Sequence, residues 1–168
     1  MLIGKLDLFS RRGQELVMVL YTLKALGSIH TKEEVLRYIR QHRFYELRPE
    51  DKESYESRRE WKSDTLLCWA RKDAVESDFM FDHDEKNSWQ ITRSGLDAVA
   101  GVIAYFRARP TAIGRCFMWR PEFKLVIDPS HTDTSQDHVR QLTGRGMSFV
   151  EKALAMLSEN LPWAGRRS

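Results

Sequence analysis

The sequence predicts an α+β fold, mostly α. Three observations carry that expectation. Apolar residues step by three and four along several segments, as one face of a helix requires. Two S/T-x-x-E tetrads mark helix starts. Two short extended runs flank a tract of turn residues, as in a β-hairpin. With 168 residues, 42% of them hydrophobic, the chain has enough apolar material for an ordinary packed core.

From Gln14 to Leu26, the residues Leu16, Val19, Leu20, Leu23 and Leu26 form one helical stripe, and Gly27 follows where a helix end prefers glycine. Ser28-Ile29-His30 is a short extended piece. Thr31 and Glu34 frame a capping box, and the helix it opens carries Val35, Leu36 and Ile39 and runs to about Gln41. Residues 43–56 are polar, contain Pro49 and read as a loop. Ser57 and Glu60 frame a second box, opening a third helix over 57–76 with Leu66, Ala70 and Ala74 as its buried stripe. Phe79–Asp82 and Ser88–Thr92 suit the two strands of a hairpin, with His83–Asn87 as its turn. A fourth helix from about Ser94 uses Leu96, Val99, Ala100, Ile103 and Phe106, and Pro110 stops it. Beyond it, Arg115–Trp119 and Phe123–Ile127 flank Arg120-Pro121-Glu122 and suit a second hairpin. Met147, Val150, Leu154, Leu157 and Leu161 then form an a/d seam about two heptads long.

Helix, short strand, helix, helix, hairpin is the order of a winged helix-turn-helix. That domain is expected over 1–108, with 57–76 as the recognition helix and the hairpin as the wing. Residues 109–168 are expected to form a C-terminal extension with a hairpin. Its helix, 147–161, is too short to stand alone and should dock on its own domain or pair with a second copy as a homodimer.

Composition narrows the function classes. The longest apolar stretch, Val99–Phe106, is eight residues long, against roughly 20 for a membrane span, so no membrane partner is expected. The start, MLIGKLDLFSRRG, has no apolar core of signal-peptide length. Cys68 and Cys116 form no CxxC pair, which fits a reducing, cytoplasmic location and argues against a zinc finger. The net charge of +3 divides as +2 over residues 1–60, −2 over 61–107 and +3 over 108–168. Such a balance permits a polyanion as partner without demanding one.

Residues 61–96 carry a more specific pattern: Trp61-Lys62, then Trp69-Ala70-Arg71-Lys72-Asp73-Ala74, an apolar pair at Phe79-Met80, and Trp89-Gln90-Ile91-Thr92-x-x-Gly95-Leu96. This resembles the N-terminal winged-helix domain of Mrr-type restriction-system proteins, over roughly residues 12–105. Ala74 stands where that family usually has leucine, and Asp78 where it has glycine. The resemblance implies DNA binding beside restriction or modified-DNA systems, and no cleavage, because a separate domain cuts in that family.

In a helix-turn-helix the start of the second helix reaches base edges, while other cations hold phosphates. Arg58, Arg59, Lys62, Ser63 and Thr65 are therefore the expected first contacts, with Arg71 and Lys72 reaching phosphate if exposed. Arg109, Arg115 and Arg120 could extend the footprint. The wing carries Asp82, Asp84 and Glu85 against Lys86 and His83, so contact there would fall to Lys86 and Asn87. Trp61, Trp69 and Trp89 are either core or a surface on which a base stacks.

Nothing favours catalysis, and no catalytic residue, metal or cofactor is expected. Glu122-x-Lys124 resembles half of a PD-(D/E)xK nuclease motif, but no Asp or Glu lies between Asp97 and Glu122 to supply the second carboxylate. His131, Asp133, Asp137 and His138 read better as a solvated loop than as metal ligands. Gly144-Arg-Gly146 lacks the lysine of a phosphate loop. The leading expectation is a non-catalytic winged-helix protein that binds double-stranded DNA. The alternative is a winged helix holding another protein, such as a nuclease or regulatory partner on a separate chain.

Overall fold

Helix α1, Arg11–Leu26, is the axis about which the chain is wound. The structure, a computed structural model, describes residues 1–54, 60–85 and 87–130. The Ser10 hydroxyl caps α1 by accepting from the Gly13 N–H at 3.0 Å. At the other end Gly27 turns left-handed at φ 87° and donates its N–H to the Leu23 carbonyl. Leu16, Val17, Met18, Val19 and Leu20 are all fully buried. The helix is therefore covered all round, where the sequence pattern suggested one stripe. A two-residue hairpin, β1 (Leu2–Ile3) with β2 (Leu6–Asp7), covers its start. Gly13 is needed there, because a Cβ on it would lie 2.1 Å from the Asp7 carbonyl oxygen.

Strand β3 (His30–Thr31) leads into α2 (Lys32–Gln41). The expected capping box is formed: Thr31 Oγ1 accepts from the Glu34 N–H, and Glu34 Oε2 accepts from the Thr31 N–H at 2.8 Å. Val35, Leu36 and Ile39 are buried as expected. The following stretch contains a 3₁₀ turn at Pro49–Lys52. A cluster on α1 holds that turn: Arg11 donates to Asp51 at 2.5 Å and to Glu15 at 2.9 Å, and the Tyr45 hydroxyl donates to Glu15 at 2.5 Å. Burial, then the Glu15 carboxylate, pushes the Tyr45 pKa up, which keeps its hydroxyl a donor.

Helix α3 is Lys62–Glu76, so it starts later than the expected 57. Its N-cap is Trp61, which makes no side-chain capping bond, and Glu60 pairs with Lys32 instead of closing a box. Ser57, Arg58 and Arg59 lie outside the described residues. The buried stripe is Ser63, Leu67, Ala70 and Ala74, with Leu67 in place of Leu66. This stripe is the face that meets α1, and a helix packed on one neighbour has one seam. A Schellman motif ends α3: the Phe79 N–H donates to Ala74 O at 2.8 Å, the Asp78 N–H donates to Val75 O at 3.0 Å, and Asp78 is left-handed at φ 58°.

The expected hairpin pairing is present. Met80 bridges Ile91, the Phe81 N–H donates to Gln90 O at 3.1 Å, and the Thr92 N–H donates to Phe79 O at 2.9 Å. On the same returning segment, β4 (Ser88–Trp89) pairs antiparallel with β3, His30 opposite Trp89 and Thr31 opposite Ser88. Helix α4, Arg93–Ala108, then buries Gly95, Val99, Val102 and Phe106. Ala100, expected on the buried face, is exposed, and Val102 takes the position facing α1.

The second hairpin is absent. Pro110–Arg115 is a 3₁₀ turn and α5 is Pro121–Ile127, with proline at its start, where a missing N–H costs nothing. Ile113, Cys116, Met118, Trp119, Phe123 and Ile127 are all buried in the same cluster as α1. The Trp119 indole N–H donates to Gln14 O at 3.0 Å, and the Met118 N–H donates to Gln14 Oε1 at 2.8 Å. The compact unit therefore runs Met1–His131, and residues 109–130 complete the core of 1–108. The expected helix at 147–161 lies outside the described residues.

Candidate nucleic-acid interface

With Ser63, Leu67, Ala70 and Ala74 turned to α1, the outward side of α3 carries Trp69, Lys72 and Glu76. Trp69 is 48% exposed, with the Arg12 guanidinium 5.7 Å and the Lys72 ammonium 5.4 Å from its ring centre. Arg12 is ion-paired with Asp73, which fixes it beside the indole. Lys72 reaches Glu76 at 3.8 Å, and Lys62 pairs with Glu53.

Several expected contacts do not lie on that side. Ser63 is buried on the α1 face. The Thr65 hydroxyl is buried and without a hydrogen-bond partner. Arg71 is mostly covered, lies 3.9 Å from Asp82 and keeps two of its nitrogens out of water. Ser63 is thus turned to the core, while Thr65 and Arg71 are partly covered. Trp89 is core at 1% exposure, where it carries the β3–β4 pairing. Asn87 is exposed in the hairpin turn, near exposed Asp82, Asp84 and Glu85 in sequence. Arg58, Arg59 and Lys86 lie outside the described residues. Arg109 and Arg115 are exposed and lie over the rings of Tyr105 and Phe9, at 4.9 and 3.7 Å from their centres.

A second feature lies at the start of α3. A cavity of about 530 Å³ opens between α2, residues 43–52 and the first turns of α3. Leu36, Ile39, Leu47 and Leu67 form its apolar lining, with Trp61 at 38% exposure. Arg40, Arg43, Lys52 and Arg120 add four cations, against the carboxylates of Glu46 and Asp64. One terminal nitrogen of Arg40 donates to both Asp64 oxygens, at 2.7 and 2.6 Å, and its guanidinium lies 5.5 Å from the Trp61 ring centre. Arg120 lies 3.4 Å from Glu46 and 3.5 Å from Glu122, and Arg43 lies 3.3 Å from Glu122. Sequence reasoning missed Arg40, Arg43 and Lys52. The three-residue spacing of Arg40 and Arg43 was the available signal, but only the fold brings Arg120 beside them.

Among the described residues the catalytic candidates are not assembled. Glu122 and Lys124 lie on α5, a helix, and not on the strand a nuclease motif needs. Among the described residues no three His, Cys, Asp or Glu side chains group as metal ligands; His131, Asp133, Asp137 and His138 lie outside them. Burial pushes the Cys116 thiol up to about 12 and raises Cys68. Among the described residues no helix is long and apolar enough to cross a membrane. No family model, curated protein or solved structure matches this chain.

Proposed function

We propose that this chain is a winged-helix module that binds double-stranded DNA without catalysis, with α3 in the major groove. The observation that carries the reading is one arrangement: β3 pairs with β4, the same segment pairs back on residues 79–81, and α3 is packed through one face on α1. This arrangement supports the reading of a winged helix, whose third helix would leave a face for the groove. The contacts this arrangement supports are Lys62, Trp69 and Lys72, with Arg12 alongside, in place of Ser63, Thr65 and Arg71. Arg58 and Arg59 remain part of the proposal from their place in the sequence.

The resemblance to Mrr-type N-terminal domains belongs with this reading, because each residue of its most telling motif has a position in the fold. Trp89 is core, Ile91 bridges Met80, and Thr92 caps α4 by accepting from the Gly95 N–H at 3.1 Å. A Cβ on Gly95 would lie 2.2 Å from the Phe79 carbonyl oxygen. The motif thus speaks for the fold, and an association with a restriction system is a further proposal.

Fluorescence anisotropy of a labelled duplex pool, unmodified and cytosine-modified, at several salt concentrations tests the function. Affinity should fall steeply between about 50 and 200 mM salt, and Lys62→Ala with Lys72→Ala should weaken it at least tenfold. A folded protein that binds no duplex at low salt would overturn the reading. The second reading, a module that holds another protein, has its own support in the exposed Phe81 and Trp69 and the acidic wing turn. Duplex affinity that ignores salt and the two lysines would favour it.

A further inference from the structure

We propose that the cavity at the start of α3 binds a nucleotide, with its base against Trp61 and Arg40 and its phosphate held by the neighbouring cations. This goes beyond duplex binding and uses a different part of the surface from Lys72 and Trp69. About 530 Å³ is in the size range of small-ligand pockets, and the lining is of two kinds, as such pockets are. Four cations line the cavity against two carboxylates, and Glu122 just outside it faces Arg43 and Arg120, so one positive charge, that of Lys52, is left over for an anion. Both lining carboxylates already face arginines, Asp64 on Arg40 and Glu46 on Arg120. Among the described residues Lys52 is exposed and has no ion-pair partner.

Trp61 supplies the second, independent argument. Helix N-caps favour Ser, Thr, Asp or Asn because the side chain must accept from the first turn. Trp61 occupies that position, makes no capping bond, and is 38% exposed, so it serves neither the cap nor the core. Its backbone is nevertheless pinned, by a bridge to Ser54 and by the Lys62 N–H donating to Glu53 O at 2.9 Å. The guanidinium beside it is pinned too, by the two bonds to Asp64. An exposed indole on a held backbone, beside a fixed guanidinium, is a surface for a planar ring, since every base has a face that stacks. A ring and an anion in one ligand define a nucleotide.

The nucleotide could be free or an unpaired member of a strand, and calorimetry on the full chain separates these. The probes are the four deoxynucleoside monophosphates, inorganic phosphate, a ten-nucleotide single strand, and a duplex with one unpaired nucleotide. Binding of monophosphates more tightly than phosphate alone supports a free-nucleotide site. Binding of the two strand probes with no heat from monophosphates supports the same pocket filled by a strand. In either case Trp61→Ala should weaken binding about tenfold or more, Lys52→Glu should also weaken it, and Arg93→Ala, on the exposed side of α4, should not. Lys52→Glu keeps the test decisive if Trp61→Ala fails to fold, because Lys52 is at the surface. No heat from any probe at millimolar concentration overturns the proposal, as does equal affinity for phosphate and monophosphates, or binding indifferent to both pocket variants. Duplex affinity measured alongside reports on Lys62 and Lys72, so failure of this site and failure of the duplex reading are distinguishable.

Discussion

Asp78 stands left-handed at φ 58°, and its N–H and that of Phe79 close the end of α3 on Val75 and Ala74. An L-residue with a Cβ pays roughly 1 to 2 kcal/mol for that conformation, less for aspartate than for most. Its carbonyl, which accepts from the Thr92 hydroxyl at 2.6 Å, is unchanged by losing the side chain. Asp78→Gly should therefore stabilise the protein by about 0.5–1 kcal/mol, read as a higher melting temperature. A lower one would mean that the carboxylate has a structural partner. Gly95 shows the opposite case, because a Cβ there meets backbone at 2.2 Å. Gly95→Ala should cost about 3 kcal/mol by forcing α4 away from Phe79, and urea unfolding would show it. Glu34 gives a pH dependence. The Thr31 N–H, and more weakly His30, hold its carboxyl below its ordinary 4.5. A lowered folded value means stability is present above the ordinary range and lost as pH falls through the folded one. Melting temperatures of wild type and Glu34→Gln should therefore converge below about pH 4.5. Parallel curves would remove Glu34 from the acid response.

At the scale of elements, Gln14 joins the first helix to the last described turns. Its Oε1 accepts from the buried Met118 N–H and its Nε2 donates to the part-buried Phe9 O at 3.0 Å. Gln14→Ala leaves the buried Met118 N–H unmatched, at about 1–3 kcal/mol. Amide exchange should then rise first over residues 113–127, which reach α1 through this contact. Exchange that rises uniformly would instead show that 109–130 open only with the whole unit. The elements also show how far the sequence could be read. The C-terminus of α1, the box of α2 and the pairing of 79–81 with 90–92 were legible because their signals lie within a few residues of the structure they specify. Helix α5 was not: Phe123–Ile127 is a short apolar run, which suits a strand or a buried helix turn equally. Pro121 and the cluster of Tyr21, Phe44 and Trp119 around Phe123 decide for the helix.

For the whole molecule, a net charge of +3 is too small to hold a polyanion by field alone. Binding to duplex must come from a few placed cations, and its salt dependence counts them. Each phosphate contact contributes about 0.9 to the slope of log affinity against log salt. Lys62→Ala with Lys72→Ala should therefore lower the slope magnitude by about 2 without altering its linearity. An unchanged slope would place the footprint on other cations, with Arg12 and Arg115 the next to replace.

Local sequence was enough for α1, α2 and α4, the end of α1, the capping box of α2, the hairpin and the W-x-I-T-x-x-G junction. Those features depend on hydrogen bonds and periodicity within one or two turns of chain. Which side of α3 faces outward follows from its packing on α1, and with it that Ser63 is buried and Thr65 and Arg71 partly covered while Trp61 and Trp69 are exposed. The tertiary structure also decided that residues 109–130 belong to the core of 1–108, and that Arg120 stands beside Arg40, Arg43 and Lys52. Burial and charge are properties of neighbours far away in the chain, and no local pattern carries them.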